Sequence, residues 1–127
     1  MIRNTREGIY RLLLELAAIP SISAFPGAEN MAADLIYQKL SELSYFRNHP
    51  QDLMQLPVEG DPLERKIIAA MVRAMPETER TIILTGHFDV VDADVCGSLK
   101  EHAFDPEEYT RRIGDMSISA EARSDLQ

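Results

Sequence analysis

The chain has 127 residues, a length that predicts one domain with a hydrophobic core of its own. It carries 13 Lys and Arg against 21 Asp and Glu, and this net charge of -8 argues against nucleic acid as a partner, since such binding depends on clustered basic side chains. A single cysteine, Cys96, excludes an internal disulfide, and the lack of a long apolar run or leader pattern favours a soluble cytoplasmic protein with no membrane partner.

The first predicted element is an amphipathic helix near the N-terminus. Asn4 can cap this helix, and Glu7 stands three residues later, which is the spacing of a capping box. Pro20 is predicted to end it. Apolar residues recur along one face of the predicted helix: Ile9, Leu12, Leu13, Leu16 and Ile19.

A second amphipathic helix is predicted from Glu29 to Leu43, after a loop with the sequence SISAFPG. Its apolar stripe is formed by Ala32, Leu35, Ile36, Leu40 and Leu43. We interpret both helices as walls of the chain's own core, since amphipathic helices normally bury their apolar face within their own domain.

The middle of the chain predicts strands. Residues 44–52 are predicted to be a turn region, residues 53–58 a short strand, and residues 59–64 a loop. The Ile and Val content of residues 66–73 predicts a second strand, and residues 80–85 predict a third. A short polar turn separates the last two, so they are expected to pair as an antiparallel hairpin.

The C-terminal part returns to helix. Residues 92–104 are predicted to be a loop, and helix start signals follow at Asp105, Pro106 and Glu108. This helix should end near residue 113, and the final dozen residues show no periodicity. The order of helices, strands and a last helix predicts an α/β fold, a layered sheet with flanking helices.

The segment TIILTGHFDVVD, residues 81–92, carries the chemistry of interest. In an extended backbone, residues two apart share a face, so His87 and Asp89 are predicted to be neighbours. A carboxylate beside an imidazole accepts its ring N–H and leaves the second nitrogen free, as in metal-bound histidines and in the base of nucleophilic catalysis. Gly86 would permit close backbone approach or an unusual φ at this point.

The residues alone leave the role of this pair open. It can equally be a satisfied polar pair at the end of a strand. No recognisable elbow marks a serine or cysteine nucleophile, and zinc would need at least two further protein ligands. Cys96 and His102 lie six residues apart, which fits no standard ligand spacing, so Cys96 is expected to be a small, partly buried side chain.

Several strings in the sequence resemble one family. ILTGHFDVVD is similar to the first metal-ligand motif, GHxDVV, of the co-catalytic zinc peptidases that include carboxypeptidase G, aminoacylase and succinyl-diaminopimelate desuccinylase. LAAIPSIS resembles the L-x-x-IPS-x-S string of that family. GDPLERK and EHAFDPEE resemble its arginine-utilisation, RocB-like branch more closely, and the resemblance spans nearly the whole chain.

The resemblance implies a function and a site. His87 matches the first zinc ligand of the family, and Asp89 matches the aspartate that orients this ligand and supports catalysis. The family hydrolyses amide bonds with two zinc ions, so the implied substrate is a small peptide or an N-acyl amino acid. The implied mechanism is attack by a metal-activated water.

The sequence also departs from the family. The GRGxxDMK-type motif with its bridging aspartate, the glutamate pair, the other ligands and the dimerisation domain are not found in residues 1–127. The prediction is therefore an N-terminal part of a catalytic domain, inactive alone, with weak zinc affinity and a tendency to self-associate. The alternative is a non-catalytic binding or assembly module that keeps the hydrolase core. A phosphoesterase-like two-metal site is also disfavoured, because the sequence lacks the second histidine and the asparagine that such sites use.

Overall fold

The computed structural model describes residues 6–23 and 25–116 and shows an α/β arrangement of helices beside a small antiparallel sheet. The described helices are α1 (Arg6–Ala17), α2 (Ala28–Ser41), α3 (Ser44–Asn48) and α4 (Pro106–Asp115). The described strands are β1 (Leu53–Pro57) and β2 (Lys66–Ala70), and 3₁₀ helices lie at Pro50–Asp52 and Ala93–His102. The predicted fold class is confirmed. No helix in the described part of the chain is long and apolar enough to cross a membrane.

Residues 58–65 connect the two strands of the sheet. β1 and β2 pair antiparallel from Leu53 opposite Ala70 to Pro57 opposite Lys66. Between the strands, the backbone N–H of Val58 donates to the carbonyl of Arg65 at 2.8 Å. The carboxylate of Asp61 accepts from the backbone N–H of Arg65 at 2.9 Å and also binds its guanidinium. These contacts close the connection between the two paired strands.

Helix α2 packs against both strands. The carboxylate of Asp34 on α2 accepts from the side-chain amide of Gln55 at 2.5 Å and from the ammonium of Lys66 at 2.8 Å, so it ties the helix to each strand. The small apolar core takes side chains from α2, α3, β1 and the second 3₁₀ helix. Its buried apolar members are Ala32, Ala33, Phe46, Leu53 and Ala93.

Three predicted helices are confirmed, with corrections in detail. α1 forms as predicted, but Ile9 and Leu13 on its apolar stripe are more than half exposed. Asn4, the predicted cap, lies outside the described residues. α2 and α4 form close to their predicted bounds, and Asp105 caps α4 by accepting from the backbone N–H of Glu108 at 3.1 Å.

Two predicted loops are helical instead. Residues 44–52, predicted to be a turn region, form α3 and a 3₁₀ helix, and the side chain of Phe46 on α3 is buried. Residues 92–104, predicted to be a loop, contain the 3₁₀ helix Ala93–His102. This helix is broken at Gly97, whose φ of 55° is in the left-handed region that glycine tolerates.

The predicted hairpin between residues 66–73 and 80–85 is wrong. The first strand forms but ends at Ala70, and β2 pairs with β1. No strand is described over residues 80–85, although Ile82, Ile83 and Leu84 have strand-forming side chains. These three side chains are 88%, 79% and 91% exposed. A strand-forming composition alone therefore did not bring residues 80–85 into the sheet, because a strand also needs a neighbour that its packing places beside it.

Candidate functional site

His87 and Asp89 lie together, as their spacing predicts. Nδ1 of His87 is 3.0 Å from Oδ1 of Asp89 and 3.2 Å from the backbone oxygen of Asp89. With the carboxylate ionised, Nδ1 carries the ring proton and donates it, which leaves Nε2 as the nitrogen with a free lone pair. The imidazole side chain is 84% exposed, so this nitrogen is accessible to a ligand.

The loop after α1 holds the segment that carries this pair. Ile22 and Val90 form a parallel β-bridge, in which Val90 N–H donates to the Ser21 carbonyl at 2.9 Å and Ser23 N–H donates to the Val90 carbonyl at 3.0 Å. The buried Ser21 hydroxyl donates to the Phe88 carbonyl at 2.6 Å. We call residues 21–23 the serine clamp. It fixes the backbone of the motif although the motif is not part of the sheet.

The serine clamp also contacts the Asp89 carboxylate. The Ser23 hydroxyl donates to Oδ2 of Asp89 at 2.6 Å, while Oδ1 faces His87. This hydroxyl, followed by His87, lowers the pKa of Asp89 from its usual value and keeps the carboxylate ionised. The guanidinium of Arg65 adds a longer-range favourable charge interaction with Asp89, while its own hydrogen bonds go to Asp61.

An apolar cavity of about 600 Å³ opens beside the imidazole. Side chains from α1, α2 and β2 line one side of it, and the segment from Leu84 to Val90, including His87, lines the other. Representative lining residues are Leu13, Leu16, Ile36, Leu40 and Ile68. Gly86 lies at this wall, but it has no left-handed φ, and a Cβ built there would meet nothing within 4 Å. The predicted special role of Gly86 is therefore wrong.

The other candidate ligands do not join the pair. Cys96 is half-buried, as predicted, and its contact with the Tyr109 hydroxyl raises the pKa of that tyrosine. Neither Cys96 nor His102 is grouped with His87. Among residues 6–23 and 25–116, no group of three or more His, Cys, Asp or Glu side chains is placed to hold a metal ion.

Ser21 and Ser23 contact the motif, and the sequence did not single them out. They lie 66 or more positions from the residues they contact, and no local pattern connects serines to a motif that far along the chain. The available signal was the resemblance of LAAIPSIS to a family string, which gave these serines no role.

The described structure thus places a histidine–carboxylate pair next to an apolar cavity on an α/β scaffold. The chain is 29% identical over 125 residues to Protein RocB of Bacillus subtilis (strain 168), an alignment that covers 95% of this chain and 22% of RocB. It is 32% identical over 105 residues to the uncharacterized protein YqjN of the same organism, covering 83% of this chain and 18% of YqjN. The chain thus spans about a fifth of the length of these relatives. No family model and no solved structure matches it.

Proposed function

We propose that the chain is part of the catalytic domain of a zinc-dependent amide-bond hydrolase, a peptidase or deacylase that acts in arginine utilisation. One observation carries the proposal: Nδ1 of His87 meets Oδ1 of Asp89 at 3.0 Å on an exposed imidazole. The similarity to RocB and YqjN over most of the chain supports it. The substrate class is a small peptide or an N-acyl amino acid.

The arrangement of His87 and Asp89 fits the role of one zinc ligand with its supporting carboxylate. Metal-bound histidines commonly donate the other ring N–H to a carboxylate, which fixes the tautomer and makes the ligating nitrogen more basic. His87 and Asp89 have this arrangement. A catalytic zinc site needs about three protein ligands, and the described residues bring no such group together. We therefore infer that this chain alone is inactive and binds zinc weakly.

The residues of the chain would divide the work as follows. Bound zinc, two ions in the resembled family, supplies a Lewis acid and a water of lowered pKa. His87 presents Nε2 to a metal, and Asp89 holds the proton on Nδ1. The apolar cavity next to the imidazole offers room for an apolar part of the substrate.

Zinc titration tests the ligand assignment. Calorimetry of the 127-residue chain is expected to show weak zinc binding that is lost in His87→Ala and kept in His102→Ala, a matched control whose histidine lies outside the pair. Equal binding by the His87 variant would contradict the assignment. In the longest natural protein that contains this segment, His87→Ala should abolish both tight zinc binding and hydrolysis of N-acyl amino acids.

A second candidate is a non-catalytic binding or assembly module that keeps the hydrolase core. The exposed apolar side chains of Ile82, Ile83 and Leu84 favour it, because contiguous exposed apolar groups mark interaction surfaces. Zinc separates the two candidates. A binding or assembly module should associate with itself or with a partner to the same extent with and without zinc. The longest natural protein that contains it should then show no zinc-dependent hydrolysis.

A further inference from the structure

We propose that Ser23 is a positioning residue: its hydroxyl orients the Asp89 carboxylate and thereby selects the tautomer of His87 that leaves Nε2 free. The inference depends on the proposed function in one respect only, namely that the free Nε2 serves to bind a metal. The orientation itself is a property of the chain without any metal.

The two oxygens of Asp89 have separate partners. Oδ2 accepts from the Ser23 hydroxyl at 2.6 Å, and Oδ1 lies 3.0 Å from Nδ1 of His87. An aspartate side chain half-exposed to water can rotate about its terminal torsion, which is broad and soft. A short hydrogen bond on one oxygen fixes this rotation, so the other oxygen stays directed at the imidazole. Ser23 thus acts on His87 through Asp89.

The backbone ties of the serine clamp make this hydroxyl separable from the fold. Ser23 N–H bonds to the Val90 carbonyl, and Val90 N–H bonds to the Ser21 carbonyl. The buried Ser21 hydroxyl holds the Phe88 carbonyl. None of these three bonds uses the side chain of Ser23. That side chain is exposed, and its further contact is a long one of 3.4 Å with the Val90 carbonyl.

Two other roles for nearby groups do not fit the geometry. Ser23 is not placed as a nucleophile, since its hydroxyl donates to the carboxylate and not to the imidazole. Arg65 does not orient Asp89, because its hydrogen bonds to carboxylate go to Asp61. Among the described contacts, the direct side-chain hydrogen bonds of Asp89 are those with Ser23 and His87.

The test reads the tautomer of His87 in the metal-free chain. Long-range ¹H–¹⁵N correlation spectra of chain labelled at histidine are recorded at about pH 8.5, where an ordinary imidazole is neutral. His87→Ala identifies the signal. In the wild type the Nδ1–H form should dominate. Ser23→Ala should shift the ratio about three- to tenfold toward the Nε2–H form, the effect of losing one hydrogen bond of ordinary net strength at an exposed site. Ser23→Thr, which keeps the hydroxyl, should restore the wild-type ratio.

Each other outcome overturns the proposal. An unchanged ratio in Ser23→Ala would show that Asp89 needs no help to face His87. Loss of the folded amide spectrum in that variant would assign the hydroxyl to structure, and an equal shift in Ser23→Thr would assign the effect to side-chain bulk. This measurement uses no zinc, so it is independent of the zinc titration. If the ratio shifts in Ser23→Ala but the chain never binds zinc, Ser23 remains a positioning residue and only the proposed function is contradicted.

Discussion

Asp52 is 1% exposed, and its carboxylate is held by three side-chain hydrogen bonds. The guanidinium of Arg73 donates to both carboxylate oxygens, at 2.9 and 3.2 Å, and the Tyr45 hydroxyl donates at 3.0 Å. The backbone N–H of Arg73 in turn donates to the Tyr45 hydroxyl at 2.9 Å. This network joins α3 to the chain that leaves β2, and Arg73 lowers the pKa of Asp52 below its usual value.

Replacing this carboxylate gives a residue-scale prediction. A group whose pKa is lower in the folded chain stabilises it at pH above the unfolded value, about 3.9, and this contribution is lost as pH falls through the folded pKa. Asp52→Asn should therefore lower the midpoint of urea unfolding at pH 7 without changing the dependence of the unfolding free energy on urea concentration. Between pH 5 and pH 3 the variant should lose less stability than the wild type loses. Glu79→Gln, an exposed control, should match the wild type in both. An equal loss of stability between pH 5 and pH 3 in the Asp52 variant and the wild type would contradict this prediction.

How far the sequence predicts single residues depends on how far apart the partners lie. His87 and Asp89 are two apart, so chain geometry alone predicts their contact. The contact of Ser23 with Asp89 spans 66 positions, and the contact of Asp52 with Arg73 spans 21. Such pairings depend on how the elements pack, which local spacing does not encode.

Helix α4 shows an element that local sequence does encode. Asp105 caps it, Pro106 takes its first position, and Glu108 binds the guanidinium groups of Arg111 and Arg112. All these groups lie within one stretch of eight residues, which is why both the helix and its cap could be predicted.

Removal of this cap gives the prediction at the element scale. Asp105→Ala deletes the acceptor for the Glu108 N–H and should destabilise α4 by about 1 kcal/mol. Amide hydrogen exchange in residues 109–112 should then speed up about fivefold, while exchange in β1 and β2 stays unchanged. Glu107→Ala is the matched control, since Glu107 is exposed and not the cap. Equal acceleration in the control would show that the cap contributes nothing specific.

Two of the three predicted strands form as β1 and β2, but the third strand and the pairing of β2 were predicted wrongly. The Ile and Val content of residues 80–85 is a propensity for extended structure, but a strand forms only against a neighbour. β2 pairs with β1, and hydrogen bonds between Asp61 and Arg65 close the connection between these two strands. Propensity is local, whereas the choice of pairing partner is a property of the whole sheet.

At the scale of the whole molecule, exposed apolar surface and net charge act in opposite directions. Ile82, Ile83 and Leu84 form a contiguous run, each at least 79% exposed, and both strands of the two-stranded sheet are edges. These features favour self-association. The net charge of -8 repels like copies, and salt screens this repulsion, with a Debye length that falls from about 10 Å at 0.1 M to about 3 Å at 1 M.

Self-association of the chain should therefore increase with salt, in contrast to an assembly held by ion pairs. Sedimentation velocity is expected to show a larger associated fraction at about 1 M NaCl than at about 0.1 M, since only the repulsion is screened. Leu84→Lys should suppress association at both salt concentrations, because it places a charge within the apolar run. Val95→Lys makes the same charge change at a residue 74% exposed outside the run, and it should associate nearly as the wild type does. Equal suppression by both variants would assign the effect to net charge, and a monodisperse monomer at high salt would show that the run binds no second copy.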